Sequence, residues 1–214
     1  MKRIIALLMA LMLLLCFAGC ADNATSDNND TGSNVTEKND ETLDNNTEVT
    51  SDGKVLIVYF SHSNNTHKLT EMIKAEIDAD VIRLTPKDAY ENKTLFDRAK
   101  NELDDGVRPE ISNLPESETV AQYDTILVGF PIWWYDLPMP MWTFLEAYDL
   151  SGKTIIPYFT HNGSSSGAAS IDTIEGLCPN STVKSDDYLS VAGRSVEDAE
   201  SEVKEWVSQI GLSK

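Results

Sequence analysis

Cysteine is nearly missing from the body of this chain: of 3 in 214 residues, Cys16 and Cys20 stand near the start and Cys178 alone follows. A lone thiol cannot close an internal disulfide, and no Cys/His spacing resembles a zinc site, so stability must come from an ordinary hydrophobic core. Positive charge is scarce as well, with 17 Lys and Arg against 35 Asp and Glu and a net charge of −18. Without a basic stripe to displace counterions, nucleic acid is not an expected partner. Long apolar runs are lacking too. Ile4 to Gly19 is the longest, too short and too abruptly ended for a spanning helix of about 20 residues. No Gly-x-Gly-x-x-Gly dinucleotide fingerprint occurs. Gly152-Lys153-Thr154 has the end of a nucleotide phosphate loop, but Ala147 stands where the first Gly belongs, and a strand follows it instead of preceding it.

What is present begins with an address. Lys2-Arg3 followed by the apolar run has the form of a secretory signal. The run ends in Phe17-Ala18-Gly19-Cys20, which resembles the lipobox of bacterial lipoproteins, with Phe17 where Leu is usual. The resemblance implies a signal peptide over residues 1–19, lipidation of Cys20, and an extracytoplasmic protein anchored to the membrane by its lipid. An ordinary signal peptide or an uncleaved anchor are the alternatives. Residues 20–53 read as an acidic linker. Among Ala21 to Gly53 only Val35, Leu43 and Val49 are large and apolar, too few to offset ordering entropy, so the composition predicts a disordered tether. Residues 54–214 hold 26 acids and 14 bases, and at about 160 residues they suit one domain. Its acidic surface suits solubility or the steering of a basic redox partner.

Within that domain, short apolar runs alternate with helical periodicity. Lys54 to Phe60, Asp124 to Phe130 and Lys153 to Phe159 read as buried strands, and Asp80 to Leu84 as a further one. Pro157 favours a less central position or a bulge for the strand that contains it. A fifth strand is expected between Thr182 and Val191. Helices are expected over Thr66 to Ile77, Leu95 to Leu103, Pro138 to Tyr148, Ser170 to Leu177 and Ser195 to Ile210, the last opening with a possible Ser195 cap. Gly106 to Pro115 reads as irregular. Alternation of this kind predicts an α/β fold with a parallel sheet covered on both faces.

In such a sheet ligands sit beyond the carboxyl ends of the strands. After the first strand comes Ser61-His62-Ser63-Asn64-Asn65-Thr66, leading straight into a helix. Hydroxyls and successive N–H groups at a helix N-terminus suit a phosphate dianion, although Ser, Thr and Asn are also ordinary caps. After the third strand comes Pro131-Ile132-Trp133-Trp134-Tyr135, three adjacent aromatics suited to a planar ring, of which at least one Trp is expected to pack down onto the sheet. After the fourth comes Thr160-His161-Asn162-Gly163-Ser164, whose small residues allow close backbone approach. His161 is the sole ionisable side chain of this third loop, either a proton shuttle or a bystander.

With hydroxyls at Ser61, Ser63 and Thr66, the first loop resembles the phosphate loop of the flavodoxin family, Asn64 standing where that family has Gly. Asn is the least penalised non-Gly residue at positive φ. The Pro131-Ile132-Trp133-Trp134 run looks like the ring-binding loop of a flavodoxin-like subfamily, and the likeness extends from Lys54 to Ile210. It implies a three-layer flavodoxin-like sandwich with a five-stranded parallel sheet in the order 2-1-3-4-5. It also implies flavin mononucleotide (FMN) as cofactor, with Ser61 to Thr66 on the phosphate, Pro131 to Tyr135 on the isoalloxazine, and Thr160 to Ser164 on the pyrimidine edge. Two functions follow from that resemblance. One is an electron carrier serving a redox partner protein or a small-molecule acceptor; the other is an FMN-dependent NAD(P)H:quinone-type oxidoreductase. A cofactor-free binding module on the same scaffold is a third, since fold does not fix function. Gly163-Ser164-Ser165-Ser166-Gly167 also fits a nucleophile elbow, with Ser165 as a hydrolase serine. His62, His67 and His161 all precede it, contrary to the order such enzymes need.

Overall fold

A computed structural model describes residues 53–163 and 165–214. The expected signal peptide, Cys20, almost all of the linker and Ser164 lie outside the described residues.

Strands β1 (Val55–Tyr59), β3 (Thr125–Pro131) and β4 (Thr154–His161) form the centre of a parallel sheet, with β2 (Asp80–Arg83) at one edge and β5 (Thr182–Val183) beyond β4. The order is β2-β1-β3-β4-β5, as the resemblance implies. Alternate residues of the central strands point to opposite faces and both sets are buried, which explains their unbroken apolar sequence. Leu56, Val58, Ile126, Val128 and Phe159 meet α4 (Met139–Ala147) and α5 (Ala168–Leu177) through Phe144, Leu145 and Ile174. Ile57, Tyr59, Leu127 and Tyr158 face α1 (Asn65–Glu76) and α6 (Glu200–Gln209) through Leu69, Ile73, Val203 and Val207. Each such aliphatic side chain contributes about 1.5–3 kcal/mol through burial.

Three expectations about the outer half need correction. The single fifth strand is two: β5 pairs with Thr154 and Ile155, and β6 (Leu189–Ala192) pairs with Tyr158 to His161. Among the described residues the sheet therefore has six strands, two of them sharing one edge of β4. Pro157 explains the break. Thr182 and Lys184 donate to the carbonyls of Lys153 and Ile155, so odd-numbered residues of β4 face this edge, and the N–H that Pro157 lacks would point there. The gap between β5 and β6 falls opposite it, so β4 stays central instead of moving outward. Thirdly, the helix expected over Ser195 to Ile210 is a 3-10 segment, Gly193–Asp198, followed by α6, and Ser195 makes no side-chain cap.

The segment after β2 builds a platform beside the sheet. It contains α2 (Leu95–Asp105) and a short helix that the sequence did not announce, α3 (Ser117–Ala121). Arg98 lies 4.0 Å over the Tyr90 ring, donates to Glu102 at 2.7 Å, and reaches the carbonyls of Asp88 and Ala89. The Tyr90 hydroxyl also donates to Glu102, and burial with that carboxylate pushes its pKa up. Arg108 pairs with Glu146 on α4 and stacks on Trp142, so the platform is fastened to a core helix.

Candidate functional site

The three loops predicted to carry chemistry lie together beyond the carboxyl ends of β1, β3 and β4. Thr160 joins them. Its hydroxyl is 2.9 Å from that of Thr66 at the start of α1, and its carbonyl accepts from the N–H of Ile132 at 2.9 Å. Behind this junction the Thr70 hydroxyl donates to the Thr66 carbonyl at 2.7 Å and meets the Tyr158 hydroxyl at 2.7 Å. All four side chains are buried. Gly129 is required at this point, because a Cβ there would lie 2.2 Å from the Tyr158 ring.

The first loop has the form of an anion cradle. Asn64 turns the chain at φ 67°, the left-handed conformation expected of it, and so aims the following backbone into α1. Ser61 is buried and its hydroxyl accepts from the N–H of His67 at 3.2 Å, leaving its proton free to donate. Among the described residues, no acceptor meets the N–H groups of residues 62–66. Such orphan donors at a helix start suit a phosphate. Ser63 and Asn64 are exposed, whereas Thr66 is buried against Thr160. His62 bonds to Asn92 at 2.8 Å and stands edge-on to Trp133, so it ties the cradle to the platform. Asn65 packs close to Gly193, where a Cβ would come within 2.6 Å of its amide nitrogen.

The second loop makes a tight hairpin. Trp133 and Asp136 exchange both backbone hydrogen bonds, at 2.9 and 3.0 Å, while Trp134 and Tyr135 take φ values of 50° and 68°. That is the geometry of a type I′ turn, normally made by Asn and Gly. Trp133 is the aromatic that packs down, edge-on to Phe60 at 5.3 Å and Tyr90 at 5.1 Å. Trp134 lies on Phe96 of α2, with ring centroids 4.1 Å apart, and donates to its carbonyl at 3.1 Å. Asp136 anchors the turn to α5. Its carboxylate accepts from Thr173 at 2.9 Å and from the N–H of Leu137 at 2.7 Å, and burial raises its pKa despite both bonds.

Between this hairpin and the third loop lies a cavity of about 490 Å³, walled by Ile132, Trp133, Trp134, Tyr135, His161 and Asn162. Residues Asn92, Leu95, Phe96 and Ala99 of the platform complete it, together with Ser165. The four platform residues were not singled out from sequence as part of a flavin site, and only Phe96 left a trace, as an aromatic one position off the buried face of its helix. His161 accepts from the N–H of Gly163 through Nδ1 at 2.8 Å. Ser165 accepts from the N–H of Gly167, and among the described residues no histidine reaches it, so the hydrolase arrangement is not assembled. Another depression, about 560 Å³, runs between α1 and α6, but charged pairs such as Lys68–Glu197 line it. Among the described residues no cluster of His, Cys, Asp and Glu has the make-up of a metal site.

These features have known counterparts. The sequence profile of the flavodoxin family matches residues 54–210. Two solved Bacteroides structures, both assigned as flavoproteins, are similar along nearly their full length. That from B. eggerthii is 28% identical, with 75% of this chain and 99% of that one covered and a TM-score of 0.64. That from B. uniformis is 31% identical, with 73% and 98% covered and a TM-score of 0.63. A Lactobacillus acidophilus flavoprotein solved in complex with FMN shares the fold at 22% identity, covering 68% of this chain and 97% of its own, with a TM-score of 0.53. No curated protein matches the chain.

Proposed function

We propose that this chain, which belongs to the flavodoxin family, holds FMN across its three strand-end loops and transfers electrons through it at the outer face of a membrane. One observation supports this most. A cradle of unpaired N–H groups and an aromatic-walled cavity stand side by side, joined through Thr160. The donor set fits the group. A phosphate dianion would take the N–H groups of residues 62–66, with Ser61 and Ser63 as hydroxyl donors. The isoalloxazine would lie against the hairpin, with the loop of residues 160–164 at its polar edge. When bound, FMN supplies the redox chemistry, while the protein sets position and potential.

An absorption spectrum of the purified full chain tests the reading. Flavin bands that co-purify, or appear with added FMN, are expected; a protein that takes up no FMN sinks it. The proposed address rests on the apolar run and Cys20, and Cys20→Ser should release the protein from membranes. One observation favours the reductase as a second reading. Leu95, Phe96 and Ala99 extend the cavity beyond the strand-end loops with apolar wall, room that suits a planar acceptor. Rapid quinone-dependent oxidation of NADH or NADPH would support it, and no turnover would leave the carrier.

A further inference from the structure

Arg83 is the last residue of the edge strand β2, paired in register with Tyr59. One guanidinium nitrogen, Nη2, donates at 3.0 Å to the carbonyl of Ser61 and at 3.0 Å to the side-chain oxygen of Asn64. It thus bridges both ends of the turn from Ser61 to Asn64. Asn64 occupies the left-handed conformation at φ 67°, and its side chain is what Arg83 grips. A guanidinium has five N–H donors, and these two bonds leave the others available. Arg83 also pairs with no carboxylate among the described residues, although the domain carries 26 acids to 14 bases. An arginine left without a counter-ion beside a row of orphan N–H groups has the charge that a phosphate dianion needs.

We propose that Arg83 is a positioning and specificity residue of this site: its grip on Asn64 and Ser61 holds the turn in its anion-binding form before ligand arrives, and its charge selects a phosphorylated flavin over riboflavin. Glycine reaches the left-handed region without help, whereas asparagine does so at a cost. The arginine offsets that cost and adds a cation in the same contact. Pre-formed loops lose less entropy on binding, so the effect falls on affinity. The inference rests on the phosphate lying in this loop.

The test measures FMN and riboflavin affinities of the full chain by calorimetry, for the wild type and for Arg83→Met, Arg83→Lys, Asn64→Gly and the Arg83→Met/Asn64→Gly double variant. Arg83→Met should weaken FMN by roughly tenfold to a hundredfold, the worth of a charge-assisted contact, while riboflavin changes by less than about threefold. Arg83→Lys, which keeps the charge, should regain about half of the lost discrimination on a logarithmic scale. In the Arg83→Met/Asn64→Gly double variant, part of the Arg83→Met loss should return relative to Asn64→Gly alone, because the turn no longer needs its clamp. Salt should weaken FMN binding more steeply in the wild type than in Arg83→Met. Equal losses for FMN and riboflavin, or an Arg83→Met protein that binds FMN as tightly as the wild type, would overturn the inference and leave the cofactor reading standing. A wild type that binds riboflavin but gains nothing from the phosphate overturns both.

Discussion

The loops after β1 and β3 both turn through the left-handed region, yet they do so by opposite means. The first spends one positive-φ residue, Asn64, amid small polar neighbours, and a single arginine holds it. The second puts two bulky aromatics there in succession, Trp134 and Tyr135, where each costs of order 1–2 kcal/mol. Such a turn persists only if its surroundings over-determine it, and they do. Phe96 packs against Trp134 at a tilt, Trp133 is wedged among Phe60 and Tyr90, and Asp136 is tied to Thr173. A backbone-lined cradle needs little support because its donors are the main chain itself. A side-chain wall for a planar ring needs a platform, and the segment after β2 supplies it.

The sharpest way to separate the two loops is to charge one of them. The burial of Thr66 against Thr160 makes it a poor site for a repelling carboxylate, since the variant would unfold the junction as well. Ser63 is exposed in the same turn. Ser63→Asp should weaken FMN binding on the order of a hundredfold, from a few kcal/mol of repulsion at close range, with the melting temperature unchanged. Calorimetry on FMN and riboflavin in parallel decides it; equal affinity for FMN would place the phosphate elsewhere.

Next in size is the junction that holds the loops together. Thr160→Val leaves the buried Thr66 hydroxyl without its partner, which costs about 1–3 kcal/mol of stability by the penalty for an unsatisfied polar group. Denaturant melts measure this directly. Affinity for FMN should fall with it, because Thr66 stands at the start of α1 beside the N–H groups of the cradle. A Thr160→Val protein with wild-type stability would show that the loops are positioned independently.

Smaller again is the strain in the aromatic hairpin. Tyr135 is 61% exposed, so its removal loses little packing. Tyr135→Gly should therefore raise stability by about 1 kcal/mol or somewhat less, the relief of positive φ reduced by the extra freedom of glycine in the unfolded chain. The matching change Asn64→Gly should gain less, since asparagine is the cheaper tenant. If both substitutions gave the same increment, the contrast between the two turns would have no energetic basis.

Much of this was legible because parallel strands bury both faces and so write themselves as apolar runs. The strand ends, and hence the three loops, followed from Lys54 to Phe60, Asp124 to Phe130 and Lys153 to Phe159. The split of the fifth strand was not legible, because a two-residue strand has no periodicity and the cause, Pro157, lies on its neighbour. Arg83 was missed for a related reason. A single arginine at the end of an exposed edge strand carries no motif, and only parallel pairing of β2 with β1 brings it to the turn. Asn92, Leu95, Phe96 and Ala99 likewise reach the cavity through tertiary packing of the platform. Backbone-directed chemistry thus showed in local sequence, and side-chain walls did not.

Asp136 gives the smallest effect and the most specific check on what braces the hairpin. Burial raises its pKa, and the bonds from Leu137 and Thr173 only partly oppose this. Between the ordinary aspartate range near about 4 and the raised native value, the folded protein binds more protons than the unfolded chain. Stability must therefore decline as pH rises through that window, and stay level above it as far as this group is concerned. Asn at this position keeps an acceptor for the Leu137 N–H and offers its amide to the Thr173 hydroxyl, so the brace survives without the titration. Melting temperatures of Asp136→Asn and the wild type, followed across that window, should converge at its acid end, with the wild type losing more on the way up. Parallel profiles would mean that the carboxylate ionises at no cost. The hairpin would then owe its hold to Phe96, Trp133 and the platform alone, and not to the acid that follows it.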